Sequence, residues 1–289
     1  MRIAPGSPRP PPCPDNATSP PTHRVCVGAA PPFYAGPMSF GLGHGRKLDD
    51  APGVVGVSTG ELPALPDSIM SDPEAARIDV RRWFADPARP LEIEIGCGKG
   101  GFLLQESAAN PGVNYLGIEQ AGEFYSYCAD RLRRRGLANV RMLHADAGEF
   151  LQWRCPAAIV RVVHLYFSDP WPKRKHHKNR VVQDRFLAEC WRSLIPGGEL
   201  RIVTDHDELW AWDCEHFDRW TAGGLEGDGV PGELRSRFGL PRAPFVRRAF
   251  DAPEWAEEGQ TVGTNYERKM CAGRQPHACV LVKGASPGA

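Results

Sequence analysis

The stretch Leu91-Glu-Ile-Glu-Ile-Gly-Cys-Gly-Lys-Gly-Gly101 decides the fold. A mostly apolar run of strand length ends at Gly96 and passes into a glycine-rich turn that opens a helix. Gly96-x-Gly98-x-x-Gly101 has the spacing of a dinucleotide fingerprint, a weak signal on its own. Downstream, strand patterns recur at 91–95, 114–119, 140–144, 161–167, 199–204, 243–250 and 277–283. Helical patterns at 101–109, 121–135, 147–153, 181–194 and 206–221 lie between most of them, and Pro196-Gly-Gly198 is expected to stop the fourth helix. This alternation predicts an α/β fold, a doubly wound Rossmann-like sheet of mostly parallel strands with helices on both faces. Ligands of such sheets sit beyond the carboxyl ends of the strands. Gly96, Glu119, Asp146, Asp169 and Asp205 all fall there.

The acids modify the fingerprint. Glu94 sits two residues before the first glycine, inside the strand, where its charge would repel a pyrophosphate but accept a hydrogen bond from a cationic amino group. Glu119 ends the second strand, where a carboxylate can take both hydroxyls of a ribose. Asp146 follows the third, where a side chain can meet an adenine amino group, and it is equally an N-cap for 147–153. An amino-acid tail plus an adenosine without phosphate is S-adenosylmethionine. A nicotinamide dinucleotide is the alternative, and Glu94 argues against it.

The fourth strand runs into Tyr166-Phe-Ser-Asp169-Pro-Trp-Pro-Lys173-Arg-Lys-His-His-Lys-Asn-Arg180. Asp169 can accept from the N1–H and N2–H₂ edge of guanine, Trp171 can stack on a base or pack, and the cations of 173–180 can meet phosphates. Adjacent His176 and His177 do not make a metal spacing, so no metal is expected. Thr204-Asp205 ends the fifth strand, and Thr264-Asn265-Tyr266-Glu267 lies in a polar stretch before the last one.

The chain has 289 residues, 42% hydrophobic, with a formal charge of +0. A nucleic-acid site must therefore be local rather than a global field. Nine cysteines form no C-x-x-C pair, as expected of reduced thiols in a cytoplasmic protein. No run of about 18 apolar residues or signal-peptide core is present, so neither a membrane span nor export is expected. Residues 1–66 are rich in Pro, Gly, Ser and Ala and are expected to form a largely disordered extension, with the domain at 67–289. Met38 opens a more domain-like segment and is a candidate translation start.

Five ordered motifs together resemble the bacterial tRNA (guanine-N7)-methyltransferase family. They are Glu94-Ile-Gly-Cys-Gly-Lys-Gly, Gly117-Ile-Glu119, Asp169-Pro-Trp-Pro-Lys173, Pro196-Gly-Gly198 with Thr204-Asp205, and Thr264-Asn-Tyr-Glu267. The likeness spans about 75 to 285. It implies the class I methyltransferase fold, S-adenosyl-L-methionine as donor, and the variable-loop guanine at position 46 of tRNA as target. It also implies cofactor contacts at Glu94, Gly96, Gly98, Glu119, Asp146 and Asp169, an active-site acid at Asp169, and substrate contacts at Lys173, Asp205 and Thr264 to Glu267. Ser168 and Asn179 depart from the family pattern. An amino-methylating enzyme and a non-catalytic RNA-binding module remain rival readings, and both monomer and homodimer remain open.

Overall fold

A computed structural model describes residues 41–221, 229–264, 266–267, 270 and 275–284. They belong to one compact unit, Ser39–Ala289; a separate unit, Met1–Met38, lies outside the described residues. The eight strands are β1 (Gly56–Ser58), β2 (Leu91–Ile95), β3 (Asn114–Glu119), β4 (Val140–His144), β5 (Val160–Tyr166), β6 (Leu194–Thr204), β7 (Phe245–Arg248) and β8 (His277–Lys283). The helices are α1 (Gly101–Ala109), α2 (Gly122–Arg135), α3 (Ala147–Trp153), α4 (Asp184–Ser193), α5 (Asp207–Thr221) and α6 (Gly232–Phe238).

The strands form one sheet in the order β1-β4-β3-β2-β5-β6-β8-β7. Neighbours pair in parallel except at β8, which runs antiparallel to both β6 and β7. From β2 the chain steps outward to β3 and β4, then returns to place β5 on the other side of β2. The strand order therefore reverses between β2 and β5, and a crevice opens beyond their carboxyl ends.

Alternation along the strands divides the core in two. Leu116 and Ile118 of β3 and Leu143 of β4 face the cluster that holds Phe150, Leu187, Phe217 and Trp220 of α3, α4 and α5. Tyr115 of β3 and Val140 and Met142 of β4 face the cluster built from Leu103 of α1 and Tyr125, Cys128 and Leu132 of α2. Helices thus cover both faces, and the sheet is doubly wound, as the strand and helix alternation predicts.

Three departures from the sequence reading have local causes. Residues 41–66, read as part of the disordered extension, are built into the domain. Leu42 N donates to Glu123 Oε1 at 2.7 Å, Arg46 pairs with Asp130 at 2.8 Å, Val55 is buried, and β1 pairs in parallel with β4. A three-residue strand carries too little periodicity to be read, and Gly56 stands where a Cβ would collide with the Tyr125 hydroxyl. Second, α4 ends at Ser193, before the Pro196-Gly-Gly198 that was expected to stop it. Those residues form a bulge in β6, where the register on β5 jumps between Val160↔Leu194 and Val162↔Glu199 and Gly197 takes φ +75°. Third, β5 ends at Tyr166 because Phe167 turns to φ +54°.

Leu116 lies fully buried at the centre of β3. Leu116→Ala is expected to cost about 2–5 kcal/mol, seen as a lower urea midpoint with an unchanged slope.

Candidate functional site

The glycine turn after β2 forms one wall of the crevice. Gly96, Gly98 and Gly100 have φ of 73°, 52° and 67°, a region that side chains disfavour. A Cβ at Gly100 would overlap Cys128 Sγ, whereas nothing lies within 4 Å of one at Gly96 or Gly98. The turn is therefore tight against α2 and open toward the crevice. Gly96 N donates to Ile118 O at 2.8 Å. Glu119 holds the turn from the end of β3: its Oε2 accepts from Gly98 N at 2.8 Å and its Oε1 from Ala121 N at 2.9 Å. A carboxylate has about four lone-pair sites, so Glu119 keeps capacity for hydroxyl donors.

Glu94 is 4% exposed, and its Oε2 has no hydrogen-bond partner. Burial, reinforced by the charge of Glu119, pushes its carboxyl up to about 8. A buried acid with an orphaned oxygen fits the cationic amino group of a methionine moiety. Asp146 is the N-cap of α3, its Oδ1 accepting from Glu149 N at 2.8 Å. Beside it His144 stacks on Tyr125 at 5.0 Å and sets Nε2 3.1 Å from Gln120 O.

The opposite wall is the loop after β5. Phe167 and Trp171 both sit at positive φ, 54° and 45°, strain of the kind that clusters at functional sites. Phe167 N donates to Val203 O at 2.7 Å, holding the loop to β6. Between these two residues Asp169 is exposed. Trp171 stacks on His176 at 5.8 Å with 14° between the rings, so it packs on its own loop. The basic stretch winds into a 3-10 helix, Arg174–Asn179, with Lys173, Arg174, Lys175 and Lys178 exposed.

Arg180 does not join them. It was grouped with the phosphate-facing cations, but it is 2% exposed. Its guanidinium donates to Pro170 O at 2.9 Å and to Glu208 Oε1 at 2.8 Å and lies over the Trp212 ring at 5.3 Å. A residue in a charged run carries no signal that separates an inward cation from outward ones.

The third wall follows β6. Tyr266, 54% exposed, sets its hydroxyl 3.5 Å from Asp205 Oδ2 and its ring 4.9 Å from Phe167. The structure thus brings the Asp169 loop, Asp205 and Tyr266 together. Glu267 turns inward: its carboxylate accepts from the backbone N–H of Thr261, of Val262 at 2.9 Å and of Gly263 at 2.8 Å. Thr264 Oγ1 accepts from Glu267 N at 3.1 Å. In this arrangement Glu267 and Thr264 shape the loop that presents Tyr266. Asn265 lies outside the described residues. Among the described residues, no group of three or more His, Cys, Asp or Glu could hold a metal, and no helix is long and apolar enough to cross a membrane.

Residues 88–222 match the family model described as "Putative methyltransferase". The tRNA (guanine-N(7)-)-methyltransferase of Nitrobacter hamburgensis is 36% identical over 193 residues, 66% of this chain and 73% of that protein. That of Alkalilimnicola ehrlichii is 35% identical, covering 68% and 79%, and that of Streptococcus suis 31%, covering 60% and 84%. Sheet order, glycine turn and orphaned acid define a class I methyltransferase that uses S-adenosyl-L-methionine. Within that class, the chain belongs to the tRNA (guanine-N7)-methyltransferase family.

The buried carboxyl of Glu94 sets a pH signature. Its ordinary value is 4.5, and in the folded chain it is about 8. Between those values the folded state holds the extra proton, so this group's contribution to stability falls as pH rises. Glu94→Gln is therefore expected to stabilise the cofactor-free protein at pH 8 by more than about 1.4 kcal/mol, the free energy of moving a pKa by one, with the gain vanishing toward pH 4.5. Urea unfolding at the two pH values measures it.

Proposed function

We propose that this protein transfers a methyl group from S-adenosyl-L-methionine to N7 of the variable-loop guanine at position 46 of tRNA, giving 7-methylguanosine. The observation that carries the reading is the placement of Asp169. It is an exposed carboxylate on a strained turn that follows β5, the strand paired with β2, whose own glycine turn leaves space at Gly96 and Gly98.

The cofactor supplies an electrophilic methyl on a sulfonium. Glu94 takes its amino group, Gly96 and Gly98 admit its close approach, Glu119 its ribose hydroxyls and Asp146 its adenine. N7 of guanine has a free lone pair and no proton to lose, so the chain needs no obligatory general base. It must hold the guanine in line at near-attack distance and stabilise the positive charge that grows on the purine. Asp169 does both, gripping the N1–H and N2–H₂ edge while lying beside the reacting methyl. Asp205, with the Tyr266 hydroxyl on it, orients the base from the other side, and Thr264 to Glu267 form the loop that carries Tyr266. Lys173 and the exposed cations that follow it take phosphates. The partner is tRNA, and the setting cytoplasmic.

The deciding assay supplies purified protein with labelled S-adenosyl-L-methionine and tRNA lacking the modification. Nucleoside analysis is expected to return 7-methylguanosine, lost when guanine 46 is replaced. Formation of N2-methylguanosine or N6-methyladenosine, or no transfer at all, would refute the proposal. Asp169→Ala is expected to lower kcat by about 10²- to 10³-fold. Lys173→Gln is expected to weaken tRNA binding and to reduce the slope of log affinity against log salt by about 1, leaving cofactor affinity unchanged.

A further inference from the structure

Asp169 stands on a turn held at its start by the Phe167 N–Val203 O bond and at its far side by the Trp171–His176 stack. Pro170 and Pro172 have no N–H to donate, and Phe167 and Trp171 sit at unfavourable φ. Among the described residues, the bond from Arg180 Nε to Pro170 O, 2.9 Å, is the one hydrogen bond that residues 168–172 make. The same guanidinium reaches Glu208 Oε1 at 2.8 Å in the first turn of α5, three residues after Asp205. Its plane lies over Trp212, one turn further along that helix. Trp212 is itself fixed, its Nε1 donating to Val182 O at 2.8 Å. The backbone of Arg180 is tied as well: its N donates to His177 O at 3.0 Å, and its O accepts from Gln183 Nε2 at 2.7 Å.

We propose that Arg180 is a positioning residue: a buried strut that fixes the Asp169 turn, and the basic 3-10 helix behind it, to the start of α5. It sets the distance between Asp169 and Asp205 and never contacts RNA. The inference rests on the reading of Asp169 as the guanine-gripping acid. It explains why a guanidinium stands there. A planar fork serves a carbonyl, a carboxylate and an aromatic face at once, which an ammonium cannot do. It also gives the half-exposed Glu208 a role: it neutralises and aims the strut.

Two variants test this. Glu208→Ala removes the outer anchor at a side chain 53% exposed, where the fold tolerates change. Arg180→Lys keeps the charge but not the fork. Both are expected to lower kcat about 10- to 100-fold at saturating tRNA and cofactor, with cofactor affinity by calorimetry unchanged. That split assigns the loss to transition-state alignment. Hydrogen exchange by mass spectrometry is expected to quicken in the peptide covering 167–173. A phosphate contact would be served by lysine as well as by arginine. Wild-type kcat in Arg180→Lys would therefore overturn the strut, as would unchanged exchange in both variants or a parallel fall in cofactor affinity. If the wild-type protein makes no 7-methylguanosine, the functional reading falls, and the exchange experiment still decides whether Arg180 holds the turn.

Discussion

The constraint on which the site depends is the divergence of two adjacent parallel strands. β2 and β5 run side by side in register, Glu94 opposite His164 and Ile95 opposite Leu165. Their chains must then leave in opposite directions, one to α1 and one across to the 3-10 helix. Both departures use backbone in the left-handed region. The β2 side does so with three glycines at positive φ; the β5 side does so with Phe167 and Trp171, two bulky residues in the same disfavoured region. The crevice between the two turns is a consequence of the strand order. Its chemistry is a consequence of which side chains the two turns leave pointing into it.

Electrostatics on the α1 face of β2 show how the same residue type serves two ends. Glu92 and Glu94 are two residues apart on one face, and each is 4% exposed. Burial alone would push the Glu92 carboxyl up, but the hydrogen bond and charge of His164, Nε2 at 2.7 Å, and of Arg161, Nε at 2.9 Å, hold it below the ordinary carboxylate value. His164 passes the chain on to the Tyr166 hydroxyl at 2.7 Å, so Glu92 closes a structural network beneath the loop that carries Asp169. Glu94 has no such counter-charge, and its pKa rises. A buried acid that is fully paired stiffens the fold; one left half-paired binds what comes to pair it.

Much of this was legible in the sequence, for a definite reason. Buried parallel strands are short apolar runs bounded by glycine or polar residues, and β2, β3, β4 and β8 fall on the expected residues. The positions of Glu119, Asp146 and Asp169 at or just beyond strand ends follow from the same pattern. What stayed hidden depends on partners far apart in the chain. β1 exists because β4 offers it an edge, not because Gly56–Ser58 prefers to be extended. Arg180 turns inward because Glu208 and Trp212, 28 and 32 residues later, make a socket for it. Glu267 turns inward because three backbone N–H groups of 261–263 converge on it. Neither environment leaves a trace in a local window.

These hidden contacts also separate the two halves of the site. The half assigned to the cofactor is carried by short turns directly off β2, β3 and β4, so its geometry is set by the sheet. The half assigned to RNA hangs from polar ties: Arg180 for the Asp169 turn, Glu267 for the Tyr266 loop, and the Gln105 amide donating to Gly263 O at 3.1 Å, which links that loop back to α1. Each tie is a few hydrogen bonds, of about 1–3 kcal/mol apiece when charged, against the tens of side chains that hold the sheet. Substitutions in the core should therefore unfold the protein before they misalign it. Substitutions in the ties should misalign the two acids while the cofactor pocket stays whole. The division follows from building one half of a site on strand ends and the other on loops.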